Sequence, residues 1–118
     1  MTFTIGDIPG GVVVRVGETR LDAAMSIRFK DRLREIVTRN GPLIVLDLSQ
    51  VDFMDSSGLG AILAIRRALP DKRRIELAAL TENVDRVFRL TRMDAIFTIH
   101  AAAPDFAPRP PLDSEARP

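Results

Sequence analysis

Asp55-Ser56-Ser57-Gly58-Leu59-Gly60 sets a carboxylate beside two adjacent hydroxyls, with glycines closing the turn. Three kinds of chemistry use such a group: nucleophilic attack, metal binding, and acceptance of a phosphate. A serine nucleophile needs a neighbouring base and a Gly-x-Ser-x-Gly elbow. Here Met54, two residues before Ser56, stands where the first glycine belongs. The one histidine, His100, ends a short apolar run beside alanines and reads as a strand-end surface residue, not a general base. With one histidine and no cysteine, no metal site is expected. Asp47, Asp52 and Asp55 are ordinary turn residues that would at best hold Mg²⁺ weakly. No Gly-rich phosphate loop followed by Lys-Ser/Thr is present, so no cofactor is expected and the chain is not read as an enzyme.

Two readings of the turn remain. In the first, Asp55 or a serine caps a helix by accepting from free backbone N–H groups, and Gly58 and Gly60 permit close approach of other segments. In the second, the hydroxyl left over after capping takes a phosphate. That group brings roughly −1.5 to −2 charges and three acceptor oxygens. A helix N-terminus tolerates an anion, whereas a protein docked over the turn would meet a desolvated dianion beside Asp55.

The elements that position this turn follow from hydrophobic period. Thr2–Ile8 is short and mixed, and Pro9-Gly10-Gly11 reads as a turn. Gly11–Val16 is a β-branched run of strand length that makes a hairpin or two neighbouring strands with the first segment; Thr19–Leu21 can extend that run. Asp22 is suited to cap a helix of about four turns carrying Met25, Phe29, Leu33, Ile36 and Val37, stopped by Asn40-Gly41-Pro42. Leu43–Leu48 is continuously apolar, as in a central strand covered on both faces. Ser49–Asp55 then connects it to a helix from Ser56 or Ser57 to about Leu69, with Val51, Phe53 and Met54 tucked inward. Ile75–Leu80 reads as a strand, Thr81 or Asn83 as the cap of a helix bearing Val84, Val87, Phe88 and Leu90, and Ile96–Ile99 as a last strand. This alternation predicts an α/β fold, a mixed sheet with helices packed on it in a single domain over residues 1–100. The prolines at 104, 108, 110, 111 and 118 predict a flexible, Pro-rich tail over 101–118.

Composition narrows the partners. Seventeen basic and sixteen acidic side chains nearly cancel among 118 residues, unlike the strong positive excess of a nucleic-acid module. Arg66-Arg67 and Lys72-Arg73-Arg74 crowd locally, as a solvated helix end or as a docking patch. No apolar stretch is long enough for membrane insertion, and Met1–Thr4 lacks an export signature, so the cytoplasm is the expected compartment. Met25, Phe29, Phe53 and Phe88 read as core, while Leu59 or Met54 are the candidates for an apolar centre at the turn's surface.

The segment Val45-Leu46-Asp47-Leu48-Ser49-Gln50-Val51-Asp52-Phe53-Met54-Asp55-Ser56-Ser57-Gly58-Leu59-Gly60 resembles the signature of the STAS-domain anti-sigma factor antagonists. The likeness extends over about residues 3–100 and is strongest across 43–65. It implies that Ser56 is phosphorylated by a partner that is both an anti-sigma factor and a serine kinase. It also implies that a metal-dependent serine/threonine phosphatase removes the phosphate. The unphosphorylated form would bind the kinase and free a sigma factor. Carried onto this chain, Asp55 shapes the turn and the kinase contact, and Ser57, Gly58 and Leu59 complete the partner-binding surface with Ser56. The alternative is an unphosphorylated STAS accessory subunit of a transport or sensory complex. There Ser56 would only cap, and Arg66, Arg67, Arg73 and Arg74 would meet the partner.

Overall fold

The computed structural model describes residues 1–109. β1 (Phe3–Ile8) and β2 (Gly11–Val16) form an antiparallel hairpin in which Ile8 faces Gly11 across Pro9-Gly10. Proline first and a positive-φ glycine second (φ 83° at Gly10) is type II turn chemistry. A short β3 (Arg20–Leu21) follows, then α1 (Ser26–Arg39), β4 (Leu43–Asp47), β5 (Phe53–Met54), α2 (Ser56–Ala68), β6 (Arg74–Ala78), α3 (Glu82–Leu90) and β7 (Ile99–His100). The main sheet runs β1-β2-β4-β6-β7, parallel except for the first pair, while β3 and β5 pair in parallel on their own. The expected α/β mixed sheet is therefore present, with β4 at its centre.

Period-2 alternation sorts the sheet into two faces. Val12, Val14, Val16, Ile44, Leu46, Ile75 and Leu77 point to one side, where they meet Phe29 and Leu33 of α1, Ile62 and Ile65 of α2, and Val84 and Phe88 of α3. Each such buried side chain is worth on the order of 1.5–3 kcal/mol relative to exposure. All the helices of the described residues bury their apolar stripes on this one face.

The opposite face carries Val13, Val45 and Ala78, a second apolar cluster covered by Ile8, Leu43, Ala103 and Phe106. On this face Arg15 and Asp47 stand directly opposite each other across β2 and β4. Asp47 is 1% exposed, and its Oδ2 accepts from Arg15 Nε at 3.0 Å. Both faces of β4 are thus covered, but not by helices alone. Residues 101–109, expected as part of the flexible tail beyond residue 100, lie on the sheet instead; residues 110–118 of that expectation fall outside the described residues.

Several boundaries differ for local reasons. Met25, half-buried, precedes the first helical residue of α1; Asp22 accepts from the Ala24 N–H and organises a turn ahead of the helix. Asn40 is extended (φ −116°, ψ 175°), not left-handed, and closes α1 by donating its side-chain amide to the Ile36 carbonyl at 2.6 Å. Arg92, at φ 62°, separates α3 from a 3-10 turn at Met93–Ala95. Ile96 and Phe97, expected to begin the last strand, instead donate their N–H groups to the Met93 carbonyl of that turn, and Phe97 drops into the core edge-on to Phe88.

Candidate functional site

The segment between β4 and α2 is sewn to both neighbours. Asp47 Oδ1 accepts from Ser49 N at 2.9 Å as the chain leaves the strand. The Thr19 carbonyl accepts from both Asp52 N (2.8 Å) and Phe53 N (3.1 Å). Thr81 Oγ1 donates to the Val51 carbonyl at 2.7 Å, and Asn83 Nδ2 to that of Asp52 at 3.3 Å. Thr81 does precede α3 as expected, yet its hydroxyl is spent on this segment and makes no cap bond. Backbone tied at this density has little freedom to change conformation.

Asp55 completes the frame. Its Oδ1 accepts from Ser57 N (2.9 Å) and Gly58 N (3.1 Å), so the carboxylate alone caps α2. Its Oδ2 accepts from Ala23 N at 3.2 Å, and its own N–H donates to the Leu21 carbonyl at 3.3 Å. One side chain therefore joins the start of α2 to the chain leading into α1. Gly58 packs against β3, where a Cβ would fall 2.2 Å from the Leu21 carbonyl oxygen. Capping is done by the carboxylate, which leaves the serine hydroxyls without that duty.

Ser56 is the first helical residue and is exposed, and Ser57 beside it is half-buried. Gly58 and Leu59 are buried; Leu59, at 8% exposure, lies in the main core and supports the turn from beneath. Met54 is likewise buried. Phe53, expected inward, is 40% exposed, and the Arg20 guanidinium stacks 4.3 Å from its ring centroid. Arg20 Nε also reaches Asp22 Oδ2 at 3.2 Å. The exposed apolar side chain of the segment leading into the serines is thus Phe53 with Arg20 over it, not Leu59 or Met54. The signal was available: adjacent residues of a strand point to opposite faces, so Met54 inward turns Phe53 outward. Gly60 has open space around its α-carbon, so it admits no neighbouring segment of this chain.

The other candidates lie elsewhere. His100 ends β7, its Nε2 2.8 Å from Glu76 Oε1. Arg66, in the last turn of α2, stacks on Phe97, and Arg73, past the end of that helix, donates to the Val37 carbonyl at the end of α1, both at the opposite end of α2 from Ser56. Among the described residues no cluster of three or more His, Cys, Asp or Glu side chains could hold a metal ion. No helix of the described residues is long and apolar enough to cross a membrane.

A mixed sheet with its helices on one face and a capped Asp-Ser-Ser-Gly helix start at the end of its central strand defines a class of small α/β domain. The chain belongs to the STAS domain family, whose model matches residues 3–105. It is 28% identical over 80 residues to the anti-sigma-B factor antagonist of Listeria monocytogenes, covering 67% of this chain and 70% of that protein. The anti-sigma-F factor antagonist RsfB of Mycobacterium tuberculosis is 25% identical over 105 residues, 89% of this chain and 85% of that one. The crystal structure of an anti-sigma factor antagonist from Mycobacterium paratuberculosis superposes with a TM-score of 0.76 at 26% identity, covering 86% of each chain.

Proposed function

We propose that this chain is an anti-sigma factor antagonist whose grip on its partner is set by phosphate on Ser56. The observation that carries the reading is the exposed Ser56 hydroxyl at the first position of a helix whose cap is supplied entirely by Asp55. Unphosphorylated, the surface formed by Ser56, Ser57 and Phe53 docks on an anti-sigma factor, which releases its sigma factor. Gly58 and Leu59 hold that surface from below, and Asp55 fixes its shape.

The same partner acts as the serine kinase. A phosphate on Ser56 Oγ finds the Ser57 and Gly58 N–H groups already taken by Asp55. It therefore stands in solvent at the positive end of the α2 dipole without remodelling the turn. The backbone keeps its shape while the surface gains a dianion next to a carboxylate. Docking over it would desolvate like charges, at a cost on the order of 100-fold or more in affinity. A serine/threonine phosphatase resets the switch, and the exchange takes place in the cytoplasm.

The test is binding of the cognate anti-sigma factor to two variants with unchanged circular dichroism. Ser56→Ala should bind as tightly as the unmodified chain and resist inactivation by kinase and ATP. Ser56→Asp should bind at least about 10-fold more weakly, since one added charge is less than a phosphate. Equal binding by the two variants, or no phosphate on Ser56 by mass spectrometry after incubation with the kinase, would refute the switch.

A further inference from the structure

Residues 101–109 cross the helix-free face from one edge of the sheet to the other. They leave β7 after His100 and place Ala103 and Phe106 against the apolar cluster of Val13, Val45 and Ala78. The Arg15 guanidinium stacks 5.0 Å from the centroid of the Phe106 ring. The ring rests on bare backbone at Gly6, where a Cβ would lie 1.9 Å from its Cδ2. Pro108 then bridges Gly6 in antiparallel sense, and Arg109 N donates to the Ile5 carbonyl at 2.7 Å. The Arg109 side chain reaches Asp7 Oδ1 and Asn40 Oδ1, tying the end of the segment to β1 and to the end of α1.

We propose that this segment is a strap that keeps the chain monomeric by covering, in cis, a surface that otherwise pairs with a second copy of itself. Two hazards meet under it. β1 is an edge strand of the main sheet, and an edge strand offers unpaired N–H and C=O groups to any extended chain. Beside it runs the apolar strip of Ile8, Val13, Leu43, Val45 and Ala78. A second copy suits this surface because an edge strand can pair antiparallel with itself about a two-fold axis, presenting the same apolar strip from both sides. The strap's prolines fit a guard. Pro108 has no N–H to donate, so the strap covers the edge without offering a full ladder of its own. The family model matches residues 3–105 and so ends before the Phe106–Arg109 anchor.

Gly6→Val tests the guard without altering the strap. The position has no positive φ, so a β-branched residue suits the strand, but its side chain takes the space of the Phe106 ring. Chymotrypsin should cut after Phe106 about 10-fold or more faster than in the parent chain, as expected when a protected segment is released. Light scattering should show a mass rising with concentration from 13.1 kDa towards twice that value, while the parent stays at 13.1 kDa. Phe106→Asp in the full chain should associate in the same way, and excess free peptide of residues 101–109 should return it to monomer. If Gly6→Val does not fold, Arg109→Ala, which removes only the terminal anchors, should show the same cleavage and association more weakly. Unchanged cleavage in these variants, a released strap without association, or a parent chain already dimeric through β1 would each overturn the proposal.

Discussion

The α-carbon of Gly58 lies so close to Leu21 that a Cβ there would stand 2.2 Å from the Leu21 carbonyl oxygen and 3.0 Å from its carbonyl carbon. That oxygen belongs to backbone and also accepts from Asp55 N, so it cannot simply step aside. Gly58→Ala should therefore push the start of α2 off β3 and destabilise the chain by about 1–3 kcal/mol, as overpacking does. Gly60, two residues on, has nothing within 4 Å of its would-be Cβ. Gly60→Ala should stabilise by about 0.5–1 kcal/mol through helix propensity. Urea midpoints at unchanged m-value measure both, and shifts of the same sign would contradict the geometry.

Asp55 bonds three backbone N–H groups, those of Ser57, Gly58 and Ala23. Asp55→Ala should cost about 0.5–2 kcal/mol, the usual loss for a cap. Asp55→Asn keeps one oxygen for the helix start but turns an amide N–H₂ towards Ala23. It should retain most of the stability while exchange of the Ala23 amide accelerates. Should the Ala23 amide exchange at the parent rate in both variants, the carboxylate does not link the two segments.

Much of this arrangement was legible because one residue governs it. An apolar run followed by Asp-Ser-Ser-Gly marks a strand feeding a capped helix, and α2 begins at Ser56 as that chemistry requires. Hydrophobicity alone argues for burying both Phe53 and Met54, and only the alternation within the two-residue β5 turns Phe53 outward once Met54 is inward. Asp22 carried a cap's chemistry yet spent it on a turn before α1. The prolines beyond His100 forbid a regular ladder. Covering a sheet face needs only apolar contact and an extended backbone, however, and Ala103 and Phe106 supply the contact without regular structure. Pairings across long separations, such as Arg20 on Phe53 or Arg15 on Asp47, have no local signal at all.

The Arg15–Asp47 pair should behave as a coupled unit. Asp47 is nearly inaccessible, whereas the Arg15 side chain keeps 37% of its exposure. Arg15→Met strands a buried carboxylate and should cost about 2 kcal/mol, less than a fully buried pair because of the arginine's exposure. Asp47→Asn removes the charge and leaves one oxygen for Arg15 or Ser49 N, so the double variant should be more stable than the sum of the single losses implies. A double-mutant cycle on urea midpoints measures the difference, and additivity within about 0.5 kcal/mol would show that the pair is not coupled.

Acid should loosen the C-terminal segment by way of Asp7. The Arg109 hydrogen bond holds the Asp7 carboxyl below its ordinary value of 3.8, opposed by desolvation and helped by the guanidinium charge. A depressed folded-state pKa means that the ionised carboxylate is favoured in the folded chain. Its contribution is complete above the ordinary value and is lost as pH falls through the lowered one. Asp7 is solvent-exposed, so the effect should show in the local anchor more than in global unfolding. Side-chain carboxyl NMR should place the Asp7 titration below the ordinary aspartate range in the parent and return it to that range in Arg109→Ala. Over the same interval the Arg109 amide, bonded to the Ile5 carbonyl, should lose protection in the parent. An Asp7 midpoint that Arg109→Ala leaves unmoved would show that the guanidinium does not hold the carboxylate in solution.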